Sequence, residues 1–138
     1  MIYEKEMYHF LILHFPIALF VTGYIFDIVG YIKSVDLYKK FSFLNLIMGV
    51  FWGILSIISG FVTDQNIGHM ESPFPIWTTH GTHMITAVIL FSFIIIIKNL
   101  NQKGKINIPE KFVLLFHTLA IIFFMHGAHI GAELADRI

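Results

Sequence analysis

Cysteine is absent from the chain. That excludes disulfides, thiolate metal sites, iron–sulfur clusters and covalently attached c-type haem. Charge is scarce as well. Asp, Glu, Lys and Arg make up 13% of the 138 residues, about half the usual share in soluble proteins. The formal net charge is zero, so nothing in the balance points to nucleic acid or another polyanion. Nucleophile, Walker and dinucleotide-binding motifs are missing, and so are linkers and low-complexity segments. The first residues carry Glu4, Lys5 and Glu6 in place of a basic n-region, and no small-residue cleavage site follows the first apolar run. A cleavable signal peptide is therefore not expected, and the first helix serves as its own insertion signal.

What is present is apolar. Hydrophobic residues reach 57%, with fifteen Phe, and they gather into four runs: residues 7–26 (continuing past Asp27 to residue 32), 41–63, 72–97 and 112–132. Each meets the length of about 20 residues that a helix needs to cross a hydrocarbon core. The runs are continuous and do not alternate, so helices are expected to satisfy the backbone in lipid, not a barrel. The expected helices cover about 8–32, 41–63, 75–97 and 111–134. Links of a few residues make neighbours antiparallel. The predicted fold is an all-α integral membrane protein, a four-transmembrane-helix up-down-up-down bundle in a single domain spanning 1–138.

Orientation follows from the basic residues. The first and third links hold Lys33, Lys39, Lys40, Lys98, Lys103, Lys105 and Lys111, whereas the other side has only Lys5 and Arg137. Seven against two sets the first and third links in the cytoplasm and both termini outside. Tyr3, Tyr8 and Trp77 then fall where an outer aromatic belt is expected.

Eight histidines stand out in so uncharged a chain. At 1.5 Å of rise per residue, His9, His80 and His129 come out shallow at the outer end, and His14, His83 and His126 about one turn deeper. Two near-copies, His80-Gly-Thr-His83 and His126-Gly-Ala-His129, thus share one layer. His69 falls in the outer loop, and only His117 belongs to the cytoplasmic half. Within each copy the two His are at i and i+3 and share a face. His9 and His14 lie about 140° apart around their helix, and His117 and His126 face nearly opposite ways. His9 and His117 are accordingly less firmly assigned to the layer.

Imidazoles inside a bilayer are costly, and four explanations compete. Haem b needs two neutral imidazoles on opposite sides of its iron. Helices 1 and 3 are diagonal in such a bundle, and His14 and His83 match in depth, which makes them the first choice of axial ligands. His80, His126, His129 and His9 remain as further candidates to line the ring, bond propionates or ligate a second haem. A Zn²⁺, Cu or Fe site would need three or four converging donors, with Asp64 and Glu133 at the rim to orient imidazoles. A proton path would favour a string of His across the membrane, and one half is nearly empty. Plain interhelical bonding accounts for His9, His69 and His117 singly, but not for two like motifs at one depth. Helix 2 contributes a stripe of Gly49, Gly53, Ser56 and Gly60. It reads either as close helix packing or as room for a flat macrocycle.

Other residues carry weaker signals. Pro16 would disrupt helix 1 near His14. Asp27 would snorkel to the interface, bond a neighbouring helix or serve a quinone's protons. Met70, Met84 and Met125 form no repeating motif and read as packing.

His9-x-x-x-x-His14-Phe15-Pro16-Ile17-Ala18-Leu19 resembles the opening of a family of small four-helix bacterial membrane proteins, domain of unknown function 2231. Ser59-Gly60-Phe61-Val62-Thr63-Asp64 is similar to its end of helix 2, and His129-Ile130-Gly131-Ala132-Glu133-Leu134 to its final helix, with Ala132 where a second Gly is usual. Some relatives occur with c-type cytochrome domains, so the resemblance implies a respiratory, haem-binding role in the bacterial inner (cytoplasmic) membrane. The sequence therefore leads to the expectation of a multi-pass b-type cytochrome with periplasmic termini, holding one haem b or two. It would carry electrons between a quinone pool and a periplasmic cytochrome or oxidoreductase partner, as a subunit or homo-oligomer and not as a stand-alone enzyme. The alternative is a His-rich protein that binds or transports zinc, copper or iron without haem.

Overall fold

The computed structural model describes residues 2–64 and 80–135, with side chains over 7–62 and 80–133. His69, Met70, Trp77 and Arg137, and the side chains of Tyr3, Lys5 and Asp64, lie outside the described residues, as does the predicted start of helix 3. Four helices make up the architecture: α1 (Ile2–Lys33), α2 (Asp36–Asp64), α3 (His80–Gln102) and α4 (Glu110–Ala135). All four are long and apolar enough to cross a membrane. Large side chains such as Phe51, Leu115 and Ile122 are more than half exposed on the outside of the bundle, as lipid-facing residues should be.

Helix ends are set by capping chemistry, not by where the apolar runs stop. α1 ends with Ser34 in the left-handed region (φ 53°) and the Val35 amide bonded back to the Gly30 carbonyl at 3.3 Å. α3 ends the same way around Gly104 (φ 66°), with Lys105 bonded to Leu100 and Gly104 to Asn101, both at 3.0 Å. These are Schellman closures, which satisfy the last carbonyls without further helix. They let α2 begin at Asp36, five residues before the predicted start, and carry α3 to Gln102, past the predicted 97. Asn101 then clamps the α3–α4 link, accepting from the Ile108 amide and donating to its carbonyl. α1 runs unbroken through Pro16, so the expected disruption there does not interrupt the helix.

Each helix packs on its sequence neighbours, and α4 closes the ring on α1. The expected diagonal relation of α1 to α3, and of α2 to α4, is the one observed. Across the diagonal, Phe20 stacks on Phe91 (ring centroids 3.8 Å, 12°), and Phe124 meets both edge-on. Leu46, Ala87, Ile94 and Ala120 complete this core. A Cβ at Gly49 would come within 2.6 Å of the Phe20 ring, and one at Gly53 within 2.8 Å of Val88. The small-residue stripe of α2 is therefore filled by side chains of this chain at Gly49 and Gly53, as its packing reading requires.

Candidate functional site

Depth fixes only how far along a helix a side chain sits; the direction it points decides what it meets. On α1 the buried positions are Pro16, Phe20, Gly23, Asp27 and Gly30. Continued toward the N-terminus at the same spacing, this stripe reaches His9 and misses His14. His9 is half-buried, with Nδ1 on Ser59 Oγ at 2.8 Å and its ring against Gly60 of α2. His14 is exposed, and its Nδ1 bonds the Phe10 carbonyl of its own helix. On α3 the stripe is His83, Ala87, Phe91 and Ile94. His83 is fully buried, stacked on Phe123 (4.9 Å, 17°) and set edge-on to His126 (5.3 Å). A Cβ at Gly127 would lie 2.6 Å from that of His83. His80 is half-buried on the backbone of α4, with Nδ1 on the Gly127 carbonyl at 2.8 Å and its ring 2.5 Å from where a Gly131 Cβ would stand. His126 and His129 are exposed, and His129 Nε2 lies 3.5 Å from Glu133, the rim carboxylate expected to orient it.

The structure thus brings His83 to His126, and seats His9, His80 and His83 against glycines of adjacent helices. It does not bring His14 to His83: one faces outward and the other is buried, and no contact joins them. Among the described residues no three His, Asp or Glu side chains converge as a metal-binding group.

The hydrogen bonds settle tautomers. A carbonyl only accepts, so His14 and His80 must each carry their hydrogen on Nδ1. Ser59 donates its hydroxyl hydrogen to the Ser56 carbonyl and so accepts from His9 Nδ1. Each neutral ring then has its lone pair on Nε2, the arrangement by which an oxygen acceptor orients an imidazole for a metal. An all-imidazole set of this kind fits haem b iron as donor chemistry. Of these rings, His9 and His80 are half-buried and His14 is exposed.

A second polar cluster occupies the other end, built from one residue of each helix. Asp27 of α1, 8% exposed, bonds the Lys98 ammonium of α3 through Oδ1 and His117 Nδ1 of α4 through Oδ2 at 2.7 Å. Ser42 of α2 lies 3.3 Å from Lys98 Nζ. Reading Lys98 as a loop charge is therefore corrected: it lies within α3, one turn beyond Ile94 on the buried stripe, with its ammonium turned inward. Asp27 bonds neighbouring α4 and, across the diagonal, α3, and does not snorkel. His117 belongs with Asp27, away from the outer imidazoles. The shared spacing of buried positions was the signal that would have found this cluster.

Comparison with known proteins adds a family and nothing finer. No curated protein and no solved structure matches the chain. A family model described as "Predicted membrane protein (DUF2231)" matches residues 7–138. With four spanning helices in one bundle and a match over nearly its whole length, the chain belongs to that family of membrane proteins.

Proposed function

We propose that this membrane protein is a b-type cytochrome, carrying electrons between a quinone pool and a periplasmic redox partner as a subunit or homo-oligomer. In this reading it lies in the bacterial inner membrane with both termini periplasmic. The observation that supports it best is the pair of half-buried outer-end imidazoles whose Nδ1 hydrogens are held by oxygens, at His9 and His80. The residues that would hold the iron are the inward-facing ones on diagonal helices, His9 of α1 and His83 or His80 of α3. His14, His126 and His129, being exposed, would shield the site or meet a partner. Bound there, haem b supplies a one-electron Fe(III)/Fe(II) couple. The chain's own contribution is ligation, burial and hydrogen bonding, which set the potential. The alternative, a zinc, copper or iron site, would need three or four donors around one ion.

Reduced-minus-oxidised spectra of the protein expressed with haem supplied test this. We expect a b-type α-band, lost in His9→Ala and in either His83→Ala or His80→Ala, and retained in His14→Ala. An absent band removes the cytochrome reading. A band lost only in His14→Ala and His83→Ala would restore that pair as ligands. Stoichiometric zinc or copper without porphyrin would establish the alternative.

A further inference from the structure

The cluster at the link end of the bundle does more than an ion pair requires. Fastening α1 to α3 needs only Asp27 and Lys98. Here the second carboxylate oxygen is committed to His117, an ionisable ring that is fully buried. Because the ionised carboxylate only accepts, His117 carries a hydrogen on Nδ1, and in the neutral ring the lone pair is on Nε2. That atom is buried and has no hydrogen-bond partner among the described residues. Its surroundings are the rings of Tyr24 (5.2 Å) and Phe91 (5.8 Å), both edge-on. A side chain chosen only to brace the carboxylate would not bury a second, unbonded basic nitrogen.

The cluster is also reachable at Asp27 and Lys98, while His117 is not among the residues that line the way in. A crevice of about 270 Å³ descends from Gln102 and Glu110 at the bundle's end, past Tyr31 and Asn101, to Asp27 and Lys98. Its mouth is crossed by the Lys39–Glu110 ion pair, 2.9 Å long. Above the cluster, Phe20, Phe91 and Phe124 close the bundle. Among the described residues, the crevice reaches the cluster from the end that carries the α1–α2 and α3–α4 links.

We propose that Asp27, His117 and Lys98 form a proton-exchange site loaded through this crevice from the end that carries the α1–α2 and α3–α4 links. With Asp27 ionised, Lys98 protonated and His117 neutral, the cluster sums to zero. One proton leaves an acid in the crevice water and becomes shared between Asp27 and His117, with Nε2 as the added basic position. The sum rises to plus one, and only bonds to hydrogen change. The groups facing the cluster are Tyr24 and Tyr31 from α1, Ser42 and Lys39 from α2, Lys98 from α3, and Thr118 and Glu110 from α4. Of these only Lys98 touches Asp27 with a charge. The site is independent of the outer imidazoles, so it stands or falls apart from the cytochrome reading.

The test uses the full chain with ¹⁵N-labelled histidine in nanodiscs. Ring-nitrogen shifts are followed between about pH 5 and pH 9, and His117 is assigned by the signal missing from His117→Gln. The expected result is reversible protonation of His117 within that range. Asp27→Asn and Lys98→Met, which remove charges of opposite sign, should displace its midpoint in opposite senses, each by about tenfold in proton affinity. A His117 signal that stays fixed across that range would overturn the proposal and leave a static ion lock. Displacement in the same sense by both variants would overturn it too. Should Asp27→Asn fail to fold, the wild-type titration decides alone, with Asp27→Glu as the conservative comparison.

Discussion

At the scale of single residues, two kinds of position carry the most weight: glycines that admit a ring, and charges that need each other. Gly49 admits Phe20, whose ring would stand 2.6 Å from an added Cβ. Gly49→Ala should lower stability by about 1–3 kcal/mol, the usual cost of overpacking. Gly23→Ala, where the nearest obstacle is Asn45 Cβ at 3.2 Å, should cost less. Unfolding of both variants in one detergent checks the order, and equal losses would show that Phe20 moves aside freely. Asp27 and Lys98 are 9% and 13% exposed at their side chains, so removing either leaves a buried charge without its partner. Asp27→Asn or Lys98→Met alone should destabilise by about 3–5 kcal/mol. The double variant should recover most of that loss. A double-mutant cycle measures this directly, and additive losses would mean that the two charges do not interact.

At the scale of helices, much was legible and one coordinate was not used. Hydropathy and length alone define four spans, and short links define their antiparallel order, because lipid demands continuous apolar helices. Ends were less legible. α2 starts at Asp36 because Lys39 and Lys40, read as loop, sit in its first turns, and Lys39 answers Glu110 across the link end. Lys98 was misplaced for the same reason, since a charge near a span's end reads as solvent until its direction is considered. The depth of the histidines was readable from rise per residue. Their direction required the period of buried positions, which runs through Asp27 and toward His9 on α1 and through His83 toward Lys98 on α3. His14 and His83 match in depth and differ in direction. Depth without azimuth did not separate exposed His14 from half-buried His9 and passed over the Asp27–Lys98 pair. Hydrogen bonds to backbone, such as that of His80 to Gly127, leave no trace in the sequence at all.

At the scale of the whole molecule, the lack of cysteine becomes a tool. A single cysteine introduced at exposed Lys103, in the α3–α4 link, should react in intact cells only with reagents that enter the cytoplasm, if the excess of basic residues sets orientation. Labelling by an impermeant reagent would invert the assignment and move the Asp27 crevice to the outer side. Finally, the aromatic core has an electrical meaning. His117 lies nine positions before His126 on α4, about 13 Å of helix axis, and His126 touches His83. Packed rings there block water and proton carriers, but they screen poorly. A unit charge gained at one end is felt at the other with about 1 kcal/mol at an effective dielectric of roughly 20. The two ends of this bundle, sealed from each other chemically, are wired by field.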